Sequence, residues 1–349
     1  MTVLVTGVGF IGGYAVRDLL DAGEDVAIYG YLGGNGDPNG DLPELDYIDK
    51  LIGGSARDRL RFEVGDVTDL DAMTAAAEKF GAHRILHLAT VLSASAEEHP
   101  YAAAQVNVTG TANVFETAVR LDMDKVVWTS SSSVYGPRSV PPSGLISDDC
   151  PFDPVYTYGA AKLFGERLSR SYAEKHGLNV TALRPFRVYG FGEHVKLGRG
   201  GGSSWLANLL YYPVIGAGPS AVPFGTRGLD FTYVEDVADG LVKALGWQDP
   251  SGSGSYIAAG DYRRIAEAYE FVRRMLPDAD ITLLEDDGDL ASGATKGFEL
   301  RGDSSRAVAD FGYRPRHTME AGIFKTINLT RDMVGLPSLD IPDELVLPS

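Results

Sequence analysis

The chain has one cysteine, Cys150, in 349 residues. A single thiol excludes an intrachain disulfide and any Cys-rich metal centre. Histidine is scarce too. His83, His87, His99, His176, His194 and His317 show no metal-ligand spacing, so no metal is expected. Long apolar runs are missing. The longest, Trp205 to Gly218, is shorter than the ~18–20 residues of a membrane span and holds Asn208 and Pro213. Basic charge is in deficit: 31 Lys and Arg against 48 Asp and Glu leave −17 at pH 7. That balance argues against nucleic acid or an anionic membrane as partner. The opening Val3-Leu4-Val5 follows no basic leader and reads as a strand, not a signal peptide, so a cytoplasmic location is expected.

The first half alternates continuous apolar strands with helices. Strands are expected at Val3–Val5, Val26–Tyr29, Leu60–Val64, Ile85–Ala89, Lys125–Ser130 and Val180–Leu183. Helices are expected at Ala15–Asp21, stopped by Gly23, and at Ala102–Leu121 and Tyr158–His176. Apolar strands separated by helices indicate a parallel sheet buried on both faces. The fold class is therefore α/β, a doubly wound parallel sheet (Rossmann) with a smaller C-terminal substrate-binding lobe. Residues 1–183 are assigned to the dinucleotide-binding domain, with 230–260 returning to it; 184–229 and 261–349 are assigned to the lobe. Gly198–Ser204 and Gly216–Gly228 are rich in Gly and Pro and read as loops or substrate lids.

Thr6-Gly-Val-Gly-Phe-Ile-Gly12 follows the first strand and opens the first helix. Gly7 permits the tight turn, Gly9 lets backbone approach a pyrophosphate, and Gly12 lets the helix pack closely. The helix N-terminus then faces phosphate charge. Dinucleotide folds selective for NAD often carry an acid at the end of the second strand. Here Ile28-Tyr-Gly-Tyr31 has none. No Lys or Arg lies between Arg17 and Lys50 to pair a 2′-phosphate, and Asp37, Asp41 and Glu44 would repel one. NAD is therefore expected over NADP. Asp66 can bind the adenine amino group or simply cap its turn.

Tyr158 and Lys162 stand four apart, on one face of a helix. A phenol titrates near ~10, and a base for alcohol oxidation works best near operating pH. Lys162 and a positive nicotinamide ring are expected to favour the phenolate. Ser130-Ser-Ser-Ser133 ends the fifth strand, where doubly wound sheets bind ligands. A hydroxyl there can orient the reacting oxygen, although strand-end hydrogen bonding will occupy some of the four. His87, inside the fourth strand, reads as a satisfied core residue.

With these segments the chain resembles the extended short-chain dehydrogenases, the group containing UDP-galactose 4-epimerase and nucleotide-sugar dehydratases. The matching stretches are LVTGVGFIGG (4–13), GDVTD (65–69), HLA (87–89), NVTGTANVFE (107–116), WTSSSSVYG (128–136), YGAAKLFGE (158–166), LRPFRVYG (183–190), DFTYVEDVADG (230–240) and DSSRAVADFGYRP (303–315). The resemblance implies Ser131 as the catalytic Ser/Thr, Tyr158 as acid/base and Lys162 as its partner. It places Phe10, Ile11, Val67, Leu88, Ala89, Asn107 and Pro185 against the cofactor, with Ser93 and Ser133 beside substrate. It also implies a homodimer through the helices Ala102–Leu121 and Tyr158–His176.

Three departures stand out. The glycine loop is one residue shorter than TGxxGxxG, so a tighter turn is expected. Arg187 stands where nucleotide-sugar members commonly have Asn. Leu229 stands where they commonly have the Arg that grips a diphosphate, with Arg227 two residues earlier. Arg187 can bind a carboxylate or phosphate, or form a structural ion pair. Trp205, Tyr211 and Tyr212 can line an apolar subsite or belong to the core. The leading expectation is an NAD-dependent oxidoreductase acting at a secondary hydroxyl or ketone of a polar small molecule. The alternative is a nucleotide-sugar 4-epimerase or dehydratase that retains its NAD.

Overall fold

A computed structural model describes residues 1–30, 50–52, 56–193, 204–285, 300–342 and 345. The acids at 37, 41 and 44, Tyr31, His194 and the loop 198–203 lie outside the described residues.

Seven strands form one parallel sheet in the order β11–β7–β5–β4–β1–β2–β3. They are β1 (Thr2–Thr6), β2 (Asp25–Gly30), β3 (Leu60–Val64), β4 (Ala82–His87), β5 (Lys125–Thr129), β7 (Val180–Pro185) and β11 (Ser253–Ala258). The two-residue β6 (Leu145–Ile146) falls outside it and pairs with β14 (Arg301–Gly302). Alternation along each strand serves both faces. Val3 and Val5 join a core with helices α1 (Phe10–Asp21) and Val234–Gly246. Leu4 points to the opposite core, with α2 (Leu70–Lys79), Thr111–Arg120 and Thr157–His176.

A second sheet, of three strands, holds β8 (Arg187–Tyr189), β10 (Gly228–Tyr233) and β12 (Asp261–Arg264). The strand that holds Leu229 therefore pairs outside the main sheet, which the chain rejoins at β11. A short β9 (Ser220–Val222) lies inside the segment read as a loop and pairs with β13 (Ile281–Leu283).

The helix expected at Ala102–Leu121 is three pieces: α3 (Pro100–Ala104), a π segment at Gln105–Gly110, and α4 (Thr111–Arg120). A single π turn inside a helix commonly marks a functional position, and this one carries Asn107. Strand order reverses between β1 and β4, and ligands bind beyond the strand ends at such a switch point.

Candidate active site

Beyond β1 the chain turns within three residues, with the Gly9 amide donating to the Gly7 carbonyl at 3.2 Å. Gly7 has φ +77°, and a Cβ there would lie 2.3 Å from Cα of Ala89. Only glycine meets both conditions. A Cβ on Gly12 would sit 3.0 Å from the Gly7 carbonyl and 3.4 Å from Leu88, so α1 packs on its own loop. Gly9 caps α1 without a side-chain hydrogen bond, and the first turn carries no acid. That leaves the helix's leading amides suited to a pyrophosphate. The shortened loop keeps Gly7 in a left-handed turn and Gly12 in close packing on it.

Beside this turn Phe10 is buried and the Leu88 amide donates to the Thr6 carbonyl at 2.8 Å; Val67 is buried against Gly110, and Pro185 ends β7, two strands beyond β4. Asp66 Oδ1 accepts from the Thr68 amide at 2.8 Å, so it caps its turn. His87 is hydrogen-bonded by Thr6 at 2.6 Å and Thr111 at 3.2 Å. Burial, and then the Lys162 charge, push it down to about 3, which makes it a neutral core residue.

The helix α5 (Thr157–His176) is fastened along the end of β5. Lys162 donates to the Thr129 carbonyl at 2.7 Å, Ser130 donates to Glu166 at 2.6 Å, and the Trp128 indole donates to Ser169 at 3.1 Å. Three consecutive residues, the last two of β5 and the one after it, are thereby held by one helix face. Gly159 makes the approach possible, since a Cβ there would fall 2.1 Å from the Ser133 carbonyl. Ser131, Tyr158 and Lys162 are all buried as a result.

The electrostatics differ from expectation. Burial pushes the Tyr158 phenol up to about 12, against hydrogen bonds from Ser131 and Thr90 that pull it down. Burial lowers Lys162 to about 7. Its ammonium lies 5.5 Å from the Tyr158 ring centroid and spends a hydrogen bond on Thr129. Lys162 therefore does not by itself supply the stabilisation of the phenolate. Thr90 escaped the sequence reading. A lone Thr after a strand carries no periodic or motif signal, and only tertiary packing brings it to the phenol.

Asn107 is buried within the π segment. Its amide clasps the backbone of Val91, accepting from N at 2.7 Å and donating to O at 2.9 Å. Ser131 caps the turn at 132–134 and donates to Ser133 at 3.1 Å. Ser93 opens a short helix at Ser93–Glu98. Arg187 is lowered by burial and raised by the charge of Glu193, which favours the ion-pair alternative. Trp205 is packed in the main core, in keeping with the core alternative. Arg227 lies over the Phe224 ring, 4.9 Å to the centroid, in a turn where Phe224 has φ +64°.

The NAD dependent epimerase/dehydratase family profile matches residues 3–260. A UDP-glucose 4-epimerase of Mycolicibacterium smegmatis is 30% identical over 95% of this chain and 99% of its own length. A UDP-glucuronate 4-epimerase of Thermodesulfobacterium geofontis is 26% identical over 95% of this chain and 97% of its own. The solved UDP-glucuronic acid 4-epimerase of Bacillus cereus, in complex with UDP-glucuronic acid and NAD, superposes with TM-score 0.77 at 23% identity, covering 95% of this chain and 100% of that one. With its doubly wound sheet, its glycine turn and this match, the chain belongs to the NAD dependent epimerase/dehydratase family, of the extended short-chain dehydrogenase type.

Proposed function

We propose that the protein is an NAD-dependent nucleotide-sugar 4-epimerase, in which hydride leaves the sugar and returns to it. The observation that carries this reading is the assembly of Ser131, Tyr158 and Lys162 at the end of β5, across β4 from the glycine turn. The end-to-end likeness to UDP-sugar 4-epimerases favours it over net oxidation of a substrate that carries no nucleotide.

When bound, NAD would supply the hydride acceptor and, in its oxidised form, a positive charge on the nicotinamide ring. Tyr158 takes the proton of the sugar hydroxyl and later gives it back. Ser131 holds the sugar oxygen toward the phenol. Lys162, anchored on Thr129, fixes one end of the site. The burial of all three excludes water from the proton transfer. The diphosphate falls to Arg227. Residues two apart near a strand share a face, so Arg227 looks the same way as Leu229, displaced by roughly 6–7 Å. The working unit is a homodimer formed through α3, the π segment and α5.

The test has two arms. The purified protein is mixed with UDP-glucose, UDP-galactose or UDP-glucuronate and the sugars are separated by chromatography. Isothermal titration with UDP, GDP and dTDP reads the nucleotide grip. Interconversion of C4 epimers without added cofactor, with low-micromolar binding of one diphosphate, is the expected result. No diphosphate binding below millimolar concentration, together with no epimer formed, would overturn the proposal.

A further inference from the structure

A line of buried polar side chains runs from the glycine turn toward the acid/base. Its members are Thr6, His87, Thr111 and Asn107, each no more than 3% exposed. Thr6 ends β1 and precedes Gly7. His87 ends β4, Thr111 opens α4, and Asn107 lies in the π segment before it.

The direction of each bond follows from the groups present. A carbonyl only accepts, so the Thr111 hydroxyl donates to the Asn107 carbonyl, at 2.9 Å. That spends its one proton. His87 Nε2, 3.2 Å from the same hydroxyl, is therefore the donor. A neutral ring has a single N–H, so Nδ1 is bare and accepts from the Thr6 hydroxyl at 2.6 Å. The far end is fixed as well. Asn107 Oδ1 accepts from the Val91 amide at 2.7 Å and the Thr90 hydroxyl at 2.9 Å, while Nδ2 donates to the Val91 carbonyl at 2.9 Å. Val91 packs on the cluster that Tyr158 forms with Ala96 and Ala103. Because the line is buried, removing one member leaves its neighbours without a substitute partner.

We propose that His87 is a positioning residue for Tyr158: as the Nε2–H tautomer it holds Thr111 and, through it, the Asn107 carbonyl, so that the Asn107 amide keeps Val91 packed beside Tyr158. This rests on the reading of Tyr158 as the acid/base. The strand end that opens the glycine turn and the segment beside the phenol then share one polar scaffold. Misplacing a reacting group by ~1 Å can cost about 10²-fold in rate. A loosened Val91 segment is therefore felt in turnover more than in substrate binding.

Histidine labelled with nitrogen-15 reports which ring nitrogen carries the proton. In the NAD-loaded protein at about pH 7 the His87 signal is assigned by its loss in His87→Gln, and the proton is expected on Nε2. Thr111→Val removes the hydroxyl at nearly constant volume, and Thr111→Ser keeps it. Thr111→Val should speed amide exchange at Val91 by about two- to tenfold. It should lower turnover of the nucleotide sugar by about 10- to 100-fold, with KM and NAD retention within about twofold of wild type. Thr111→Ser should match wild type in each measurement. A proton on Nδ1, unchanged Val91 exchange or turnover in Thr111→Val, or the same losses in Thr111→Ser would each overturn the proposal. The proton position in wild type tests it without any Thr111 variant having to fold. A wild type that turns over no nucleotide sugar, with His87 and Val91 behaving as expected, would instead mark the failure of the epimerase reading.

Discussion

Arg184→Met is the perturbation with the largest consequence outside the reacting groups. Arg184 lies in β7 with its side chain 3% exposed. Its guanidinium holds Glu166 through two bonds, at 2.8 and 2.6 Å, the Tyr135 hydroxyl at 2.6 Å and Asp148 at 3.1 Å. Both carboxylates are as buried as the arginine. Removing one partner of a buried pair costs about 3–5 kcal/mol, because an uncompensated charge stays behind. That is a large share of the ~5–15 kcal/mol that holds a domain together. The effect also has a pH signature. Burial, opposed by Arg184, pushes the Asp148 carboxyl up to about 6. A carboxyl raised in the folded state contributes stability below its unfolded value of ~4, and loses it as pH rises through its folded value. Without Arg184 that folded value rises further, so the deficit should be small near pH 5 and wide above pH 7. Adding Glu166→Gln removes one buried charge while keeping an acceptor for Ser130, and should recover part of the loss. Urea unfolding followed by circular dichroism from pH 5 to 8 measures all three proteins. A single variant within about 1 kcal/mol of wild type at pH 7.5, a deficit that shrinks as pH rises, or a double variant weaker than the single would refute the reasoning.

Tyr158→Phe should lower turnover by roughly 10²–10⁴-fold and leave NAD binding nearly intact; turnover within threefold of wild type would remove Tyr158 from the mechanism. NAD should bind more tightly than NADP, because the nearest cations are engaged elsewhere, Arg17 with Asp18 and Glu235, and Lys50 with Asp332. Fluorescence titration of both cofactors decides it, with tighter NADP as the contrary result. Wild type should scatter light as a dimer at micromolar concentration and Phe164→Glu as a monomer. Phe164 is 50% exposed and Tyr101 80% exposed, and Phe164, Ala103, Ala104, Val108 and Ala160 border an apolar hollow of about 290 Å³ between α3 and α5. A wild-type monomer would count against that interface.

The parallel sheet was legible because each buried strand is a short apolar run that stands out locally, as in Lys125–Thr129. The Gly7 turn and the approach of Lys162 to the Tyr158 ring were legible because each depends on a spacing along one element. Element ends were less so. The first helix begins at Phe10, five residues before the expected Ala15, since Gly12 and Gly13 disguise its opening turn. The π segment is invisible to a 3.6-residue period, because the same side chains satisfy both windings. The phenol's raised pKa was missed for another reason. The Tyr–Lys spacing promises proximity, but it says nothing of the Thr129 carbonyl that captures the ammonium.

The substrate wall resists sequence reading because its partners come from distant segments. At Arg187 the sequence leaves both an anion grip and a structural ion pair open, since it does not show which acid lies beside the guanidinium. In the fold the charge of Glu193 already acts on it, so an incoming carboxylate or phosphate would compete with a buried acid. That competition lowers the value of Arg187 to a substrate. On the proposed reading the diphosphate falls to Arg227, whose guanidinium lies over the Phe224 ring. The three positions thus sit in different settings: Arg187 under the charge of the buried Glu193, Arg227 over the Phe224 ring in the turn before β10, and Leu229 inside that strand.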